Sequence, residues 1–274
     1  MDLVNVRKLG RGGFSSVYLV KDCSTGTLYA KKTITPKFIK HSKHELRILT
    51  LFKKIRHKNI VRFFEQQKYK DTICFIFEKL HINLYNFYKQ HPDRINYNLL
   101  CSFTKQIMEG LEFIHSIFII HADLKPENVM VTNLKENRIK LIDFGSSIIN
   151  GTNKHTHFYI VSRYYRAPEL VYKKQFNEKI DIWSAGCIIY ELIVFKPLFY
   201  ALNNTLLKML MTTLSYEKKF ITYIQMNSFF SSLSVRKQML LTDILYNTLE
   251  FDFKKRFSAK QCLAMPIFDS IRDI

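Results

Sequence analysis

The stretch HADLKPENVMV at residues 121–131 sets a carboxylate at Asp123, an ammonium at Lys125 and a carboxamide at Asn128 just ahead of the apolar run Val129-Met130-Val131. An acid, a cation and a neutral oxygen ligand thus fall within six residues of one another, from Asp123 to Asn128. A bare alanine, Ala122, separates His121 from the acid. A second acid follows in IKLIDFGSS at 139–147, where the apolar pair Leu141-Ile142 delivers Asp143 to a turn closed by Gly145. Asp143 and Asn128 together offer hard oxygen ligands of mixed charge, which suit Mg²⁺ rather than zinc.

A phosphate end to such a site is visible upstream. LGRGGFSSVYLV at 9–20 places Gly10, Gly12 and Gly13 between two strand-like runs. Glycines there let backbone amides approach phosphate oxygens without interference from a Cβ. No G-K-[ST] follows, so this is not a Walker loop, and taken alone it reads equally well as a hairpin turn. Lys32, about one strand later in LYAKK, is placed to reach an α/β-phosphate. Glu45 on the next helical stretch is the partner expected to hold it inward, because a desolvated charge is costly unless paired.

The elements that must position these residues fall into two kinds. Residues 1–79 alternate as strand-like pieces, VNVRKLG, SSVYLVKD, LYAKKTIT and TICFIFEKL, interrupted by one helical segment, KHELRILTLFKKI. In that helix Leu46, Leu49 and Phe52 are spaced to build one apolar face. From residue 80 to 274 the pattern turns mostly helical, clearest in LLCSFTKQIMEGLEFIHSI and IDIWSAGCIIYELIVF. The expected fold is α+β: a strand-rich N-lobe over 1–79 and a helical C-lobe over 80–274, with the boundary near Phe77–Leu80.

Composition agrees. The chain has 274 residues, 47% hydrophobic and 14% aromatic, enough to bury a sizeable core. No apolar run approaches the ~20 residues that cross a bilayer, and MDLVNVRKLG lacks the pattern of a secretory signal. An intracellular protein, in cytoplasm or nucleus, is expected. The five cysteines are scattered and odd in number, which reads as reduced thiols without a metal cluster. A net charge of +19 would attract nucleic acid or an acidic surface. Coding bias is the favoured explanation, because the chain is also rich in Ile, Asn, Phe and Tyr and carries no basic tail.

The ordered set GxGxxSxV, Lys32, Glu45, HxDxKxxN, DFG, APE and DxWSxG resembles a eukaryotic protein kinase over essentially the whole chain. The resemblance implies ATP and Mg²⁺ as cofactors and a role for each residue. Asp123 would receive the proton of the attacking hydroxyl, and Lys125 would neutralise the transferring phosphoryl group. Asn128 and Asp143 would hold Mg²⁺, and Lys32, paired with Glu45, would grip the α/β-phosphates. The loop Leu9, Gly10, Arg11, Gly12, Gly13, Phe14, Ser15, Ser16, Val17 would cover the nucleotide, with Ser15 where a third glycine is usual. Val17 and Ala30 would enclose adenine from above and Met130 from below. Phe77 matches the gatekeeper, with Glu78 and Leu80 offering backbone groups. Leu49, Phe63, His121 and Phe144 match a stacked column joining the lobes, Trp183 a buried anchor, and Glu169 with Arg256 a structural ion pair.

YIVSRYYRAPEL at 159–170 is similar to the CMGC kinases, especially the glycogen synthase kinase family, while HADLKPEN and NLYNF are similar to the dual-specificity tyrosine-regulated kinases. Lysine two places after the acid matches the serine/threonine pattern. Tyr159 falls on an activation-loop tyrosine, and Arg163 and Arg166 are near enough to receive its phosphate. In glycogen synthase kinases three basic residues bind a substrate's priming phosphate; their counterparts here are Ala122, His44 and Ile148. Priming by that route is therefore not expected. Protein substrates, proline after the acceptor, a monomeric state and no membrane or nucleic acid partner are the remaining expectations, with a cyclin-like partner left open. The alternative function is a catalytically weak scaffold on the same fold.

Overall fold

The structure is a computed structural model and describes residues 1–13, 15–69, 72–149, 160–216 and 218–269. Phe14 and Tyr159, both singled out above, lie outside the described residues.

Five strands form one sheet: β1 (Leu3–Arg11), β2 (Ser15–Asp22), β3 (Leu28–Ile34), β4 (Phe63–Tyr69) and β5 (Thr72–Glu78), in the order β1-β2-β3-β5-β4. Register aligns the functional candidates. Val17 lies opposite Lys32, which lies opposite Phe75, while Leu19 lies opposite Ala30, which lies opposite Phe77. Because side chains alternate along a strand, these six share one face of the sheet. Helix α1 (Ile39–Lys54) packs on β4 and β5. Its spacing buries Ile48, Leu49 and Phe52, with Leu46 partly covered.

The remainder is mostly helical. After β6 (Ile82–Asn83) come α2 (Leu84–Gln90) and α3 (Tyr97–Ser116), each started by an asparagine whose side chain accepts a backbone N–H: Asn83 from Asn86 at 2.7 Å and Asn96 from Leu99 at 3.0 Å. Such caps satisfy orphan amides and contribute about 1 kcal/mol each. Short strands β7 (Ile119–Ile120), β8 (Val129–Val131), β9 (Ile139–Leu141) and β10 (Ile148–Ile149) then carry the candidate catalytic segments between them.

Helices α4 (Pro168–Val171) and α5 (Lys179–Val194) follow. Ile180 through Ile193 are all buried, so α5 is covered around its whole circumference, as a helix at the centre of a domain must be. Gly186 allows its closest approach. A Cβ there would stand 2.7 Å from Thr248 Oγ1 and 2.9 Å from Leu249 side-chain atoms. Trp183 stacks on Phe199 with centroids 5.4 Å apart. The interval after Phe199 folds as α6 (Asn204–Leu210), a wider turn over Met211–Tyr216, α7 (Phe220–Gln225), α8 (Ser228–Ser231) and α9 (Val235–Thr248), before α10 (Ala259–Leu263). The architecture is α+β, a strand-rich N-lobe with one main helix above a helical C-lobe.

The expected column is buried throughout. Leu49, Phe144 and His121 have no exposed surface, and Phe63 retains 6%. Phe144 contacts His121 at 5.0 Å and Phe52 edge-on at 4.7 Å between centroids.

Candidate active site

Two clusters meet between the sheet and the helices. The first is built from β3, α1 and the turn after β9. Lys32 Nζ donates to Glu45 Oε1 at 2.7 Å and to Asp143 Oδ1 at 2.7 Å. Asp143 adopts a left-handed conformation, φ 63° and ψ 76°, which short polar side chains tolerate better than most. A Cβ on Gly145 would come into ordinary contact here, 3.4 Å from both Asp143 Oδ1 and Glu45 Oε2. Burial alone would pull the Lys32 ammonium down, but the facing carboxylates of Asp143 and Glu45 outweigh it and raise its pKa. Burial likewise pushes Asp143 up, and Lys32 overcomes it, so Asp143 is held below its ordinary range. Glu45 stays raised, because burial and the neighbouring Asp143 together exceed the pull of Lys32.

The second cluster surrounds Asp123. Lys125 Nζ donates to Asp123 Oδ2 at 2.7 Å and to Ser162 Oγ at 3.1 Å. Ser162 donates to Asp123 Oδ1 twice, from its hydroxyl at 2.8 Å and its backbone N–H at 3.1 Å. Asn128 Nδ2 donates to the Asp123 carbonyl at 2.8 Å and to Oδ2 at 3.3 Å. With its nitrogen committed to Asp123, the Asn128 amide turns its oxygen to the other side. The clusters are tied through the backbone: Ile142 N–H donates to the Asn128 carbonyl at 3.0 Å, one residue before Asp143. His121 bridges them too, with Nε2 donating to the Ile142 carbonyl at 3.0 Å and Nδ1 accepting from Asp123 N–H at 3.3 Å.

The left-handed turn at Ala122, φ 61°, has its own anchor. Asp181, fully buried at the start of α5, accepts from Ala122 N–H through Oδ1 at 2.9 Å. Its Oδ2 accepts from His121 N–H at 2.7 Å and from His115 Nε2 at 2.9 Å.

The glycine-containing loop forms the tip of the β1–β2 hairpin. Gly10 lies opposite Val17 and Arg11 opposite Ser16, and Gly12 N–H donates to the Ser15 carbonyl at 2.9 Å. A Cβ on Gly10 or Gly13 would meet no atom of the chain within 4 Å, so internal packing does not demand glycine at either position. Leu9 and Arg11 are exposed, whereas Ser15, Ser16, Val17, Ala30, Leu80 and Met130 are half-buried. Met130 sits in β8 opposite Asn83 and Lys140. The Glu78 carboxylate accepts from Lys140 Nζ at 2.7 Å and from Arg62 N–H at 2.6 Å.

The segment after Tyr159 is fastened from within. Val161 is left-handed, φ 65°, an outlier for a β-branched residue. Its carbonyl accepts from Arg166 Nη2 at 2.8 Å and Nε at 3.1 Å, and Nε also reaches the Ile160 carbonyl at 3.1 Å. Arg163 Nη1 donates to the Leu202 carbonyl at 2.7 Å. His44, read as one of three positions without a permanent cation, bonds the Ser147 carbonyl at 2.6 Å and so pins α1 to the segment after Asp143. Sequence reasoning gives no role to Ser162, to Asp181 of DxWSxG or to Glu191, the acid within CIIYELIVF. An acid inside an otherwise apolar helix was a usable signal for the last two. Nothing in the spacing ties Ser162 to an aspartate 39 residues away.

Among the described residues no group of three or more His, Cys, Asp or Glu could hold a metal, and no helix is long and apolar enough to cross a membrane. The protein kinase domain family matches residues 3–268. Serine/threonine-protein kinase ppk15 of Schizosaccharomyces pombe is 36% identical over 198 residues, 70% of this chain and 37% of the relative. Human dual specificity tyrosine-phosphorylation-regulated kinase 3 is 35% identical over 197 residues, 70% of this chain and 33% of the relative. The probable dual specificity protein kinase YAK1 homolog of Encephalitozoon cuniculi is 37% identical over 203 residues, 72% of this chain and 49% of the relative. The chain thus spans between a third and a half of these relatives' length. They favour the dual-specificity resemblance over the glycogen synthase kinase one. The chain belongs to the protein kinase domain family, within its CMGC group and beside the dual-specificity tyrosine-regulated and YAK1-type kinases.

Proposed function

We propose that the chain is a serine/threonine protein kinase that transfers the γ-phosphoryl group of ATP to protein hydroxyls, with Mg²⁺ held by Asn128 and Asp143. One observation carries this reading: the Lys32–Glu45–Asp143 set is closed at 2.7 Å contacts while Asp123, Lys125 and Ser162 stand assembled beside it. The donor set suits the ion, because a carboxylate and an amide oxygen are hard oxygen ligands. When bound, Mg²⁺ would neutralise charge on the phosphates.

The chain's own groups supply the rest. Lys32 binds the α/β-phosphates, and the Leu9–Val17 hairpin covers them; glycine at Gly10 and Gly13 then serves close approach by something other than the chain itself. Val17, Ala30 and Met130 enclose the base, with Glu78 and Leu80 beside it. The substrate oxygen attacks the γ-phosphorus and gives its proton to Asp123. An O–P bond forms as the bond to the β-phosphate oxygen breaks, and Lys125 meets the charge on the moving group.

Proline after the acceptor fits the same reading. The Val161 carbonyl is taken by Arg166, so a substrate residue lacking an N–H would forfeit no hydrogen bond there. We read Tyr159 as a self-phosphorylated residue, with Arg163 and Arg166 near enough in sequence to receive its phosphate, and residues 1–79 and 80–274 as the lobes of one catalytic domain. The free thiols of all five cysteines support action inside the cell. The test is labelled ATP with Mg²⁺ and a peptide set carrying Ser, Thr or Tyr acceptors, each with and without a following proline. Incorporation into Ser and Thr peptides supports the reading, and none into any peptide contradicts it.

A further inference from the structure

A cavity of about 490 Å³ opens beside the Asp123 cluster, with Lys125 and Ser162 in its wall. Residues flanking a substrate hydroxyl at Asp123 would lie along it. Its floor holds Glu191 of α5, a carboxylate that the proposed transfer does not use. An ionised carboxylate in such a groove ordinarily attracts a guanidinium or ammonium group of the substrate. Here both of its oxygens are occupied. Tyr88 OH donates to Oε1 at 2.5 Å, and Tyr165 OH donates to Oε2 at 2.7 Å. Glu191 keeps 1% of its surface, and Tyr88 also keeps 1%. Burial and the neighbouring carboxylate push both phenols well up, so each keeps its proton and remains a donor. Tyr88 is in turn packed against Phe195, centroids 5.8 Å apart, with Lys89 over its ring.

We propose that Tyr88 is a specificity-determining residue: its hydroxyl withholds the Glu191 carboxylate from the substrate groove, so that substrate choice owes nothing to a cation at that subsite. What the groove exposes instead is tyrosine, at Tyr85 and Tyr200, with Lys89 and Lys196; Glu127 is the exposed carboxylate among its described lining residues. Such a lining favours uncharged and aromatic substrate side chains over cationic ones. This rests on the kinase reading and specifies its substrate class.

The test is a positional-scanning peptide array on wild type, Glu191→Gln, Tyr88→Leu and the double variant, with thermal unfolding to confirm that each is folded. Arginine selection at every position should agree within about twofold between wild type and Glu191→Gln. Tyr88→Leu should raise arginine selection by about fivefold or more at one position, and the double variant should lose that gain. Arginine selection in wild type that falls with Glu191→Gln overturns the proposal, as does an unchanged pattern in Tyr88→Leu. An array left blank by wild type contradicts the kinase reading instead. The same comparison is then made as peptide dissociation constants by fluorescence anisotropy, arginine against glutamine, with the same two criteria.

Discussion

Asp181 and Ala122 are joined by a 2.9 Å hydrogen bond from the Ala122 N–H to Oδ1, made where Ala122 takes a left-handed turn. A non-glycine residue in that region costs about 1–2 kcal/mol, and the turn persists because a buried carboxylate collects the amide of Ala122 and that of His121 before it. His121 N–H and His115 Nε2 share the other oxygen. Asp123 follows directly, so the aim of the proposed catalytic carboxylate depends on an acid 58 residues later in the chain.

Asp181→Asn keeps one acceptor and replaces the other with a donor that faces at least one N–H. Hydrogen bonds to charged groups contribute about 1.5–3 kcal/mol each. The variant is expected to unfold several degrees lower and to lose turnover more than it loses ATP affinity. Calorimetry with a steady-state assay checks this; unchanged stability and turnover would remove Asp181 from the positioning role.

Glu45→Gln removes one of the two carboxylates that hold Lys32. The ammonium remains on Asp143, but nothing fixes it against α1. Loss of an oriented electrostatic group typically costs about 10²–10³ in rate. Turnover in that range, with the fold retained by circular dichroism, is expected. Wild-type activity in Glu45→Gln would show that the 2.7 Å contact is incidental.

Arg256 and Glu169 form a buried two-point ion pair at 2.7 and 3.0 Å, with Arg256 also donating to the Glu250 and Lys179 carbonyls. Glu169→Gln leaves that charge without its counter-ion, at a cost of about 3–5 kcal/mol. Urea denaturation should show a loss of that size. A loss under about 1 kcal/mol would indicate that the carbonyls alone suffice.

Much of this was legible in sequence, and for physical reasons. Strand β2 spans Ser15–Asp22, the stretch that SSVYLVKD predicts, because it is strand-like and bounded by turn residues. Helix α5 lies within one residue of IDIWSAGCIIYELIVF at each end, since its apolar run is too long for a strand. Helix α1 begins at Ile39, four residues before KHELRILTLFKKI; the apolar face starts only at Leu46, so the first turn carries no periodic signal. Strand β4 is not legible in sequence, because FFEQQKY shows little alternation and is held by pairing with β5. The Lys32–Glu45 pair was anticipated from the cost of a lone buried charge. The second bond of Lys32, to Asp143, and the Ser162 clamp on Asp123 join residues 111 and 39 apart in sequence, a proximity only tertiary structure creates.

Glu191 supplies a pH dependence. Burial pushes its carboxyl above the ordinary 4.5, and the phenols of Tyr88 and Tyr165 recover only part of that. The folded chain therefore binds this proton more tightly than the unfolded chain does. Its stabilising contribution is complete below 4.5 and is lost as pH rises through the folded value. The stability of wild type relative to Glu191→Gln should accordingly decline from acidic to neutral pH. A difference independent of pH would contradict the raised value.

The most direct measurement is phosphate transfer from γ-labelled ATP with Mg²⁺ to a Ser/Thr peptide, run on wild type and Asp123→Asn with nucleotide affinity measured alongside. Expected is incorporation by wild type and a fall of about 10²–10⁴ in Asp123→Asn, with ATP binding retained. Equal rates in the two proteins, or a wild type that binds Mg-ATP and transfers nothing, would contradict the assignment of Asp123 as the carboxylate that receives the proton.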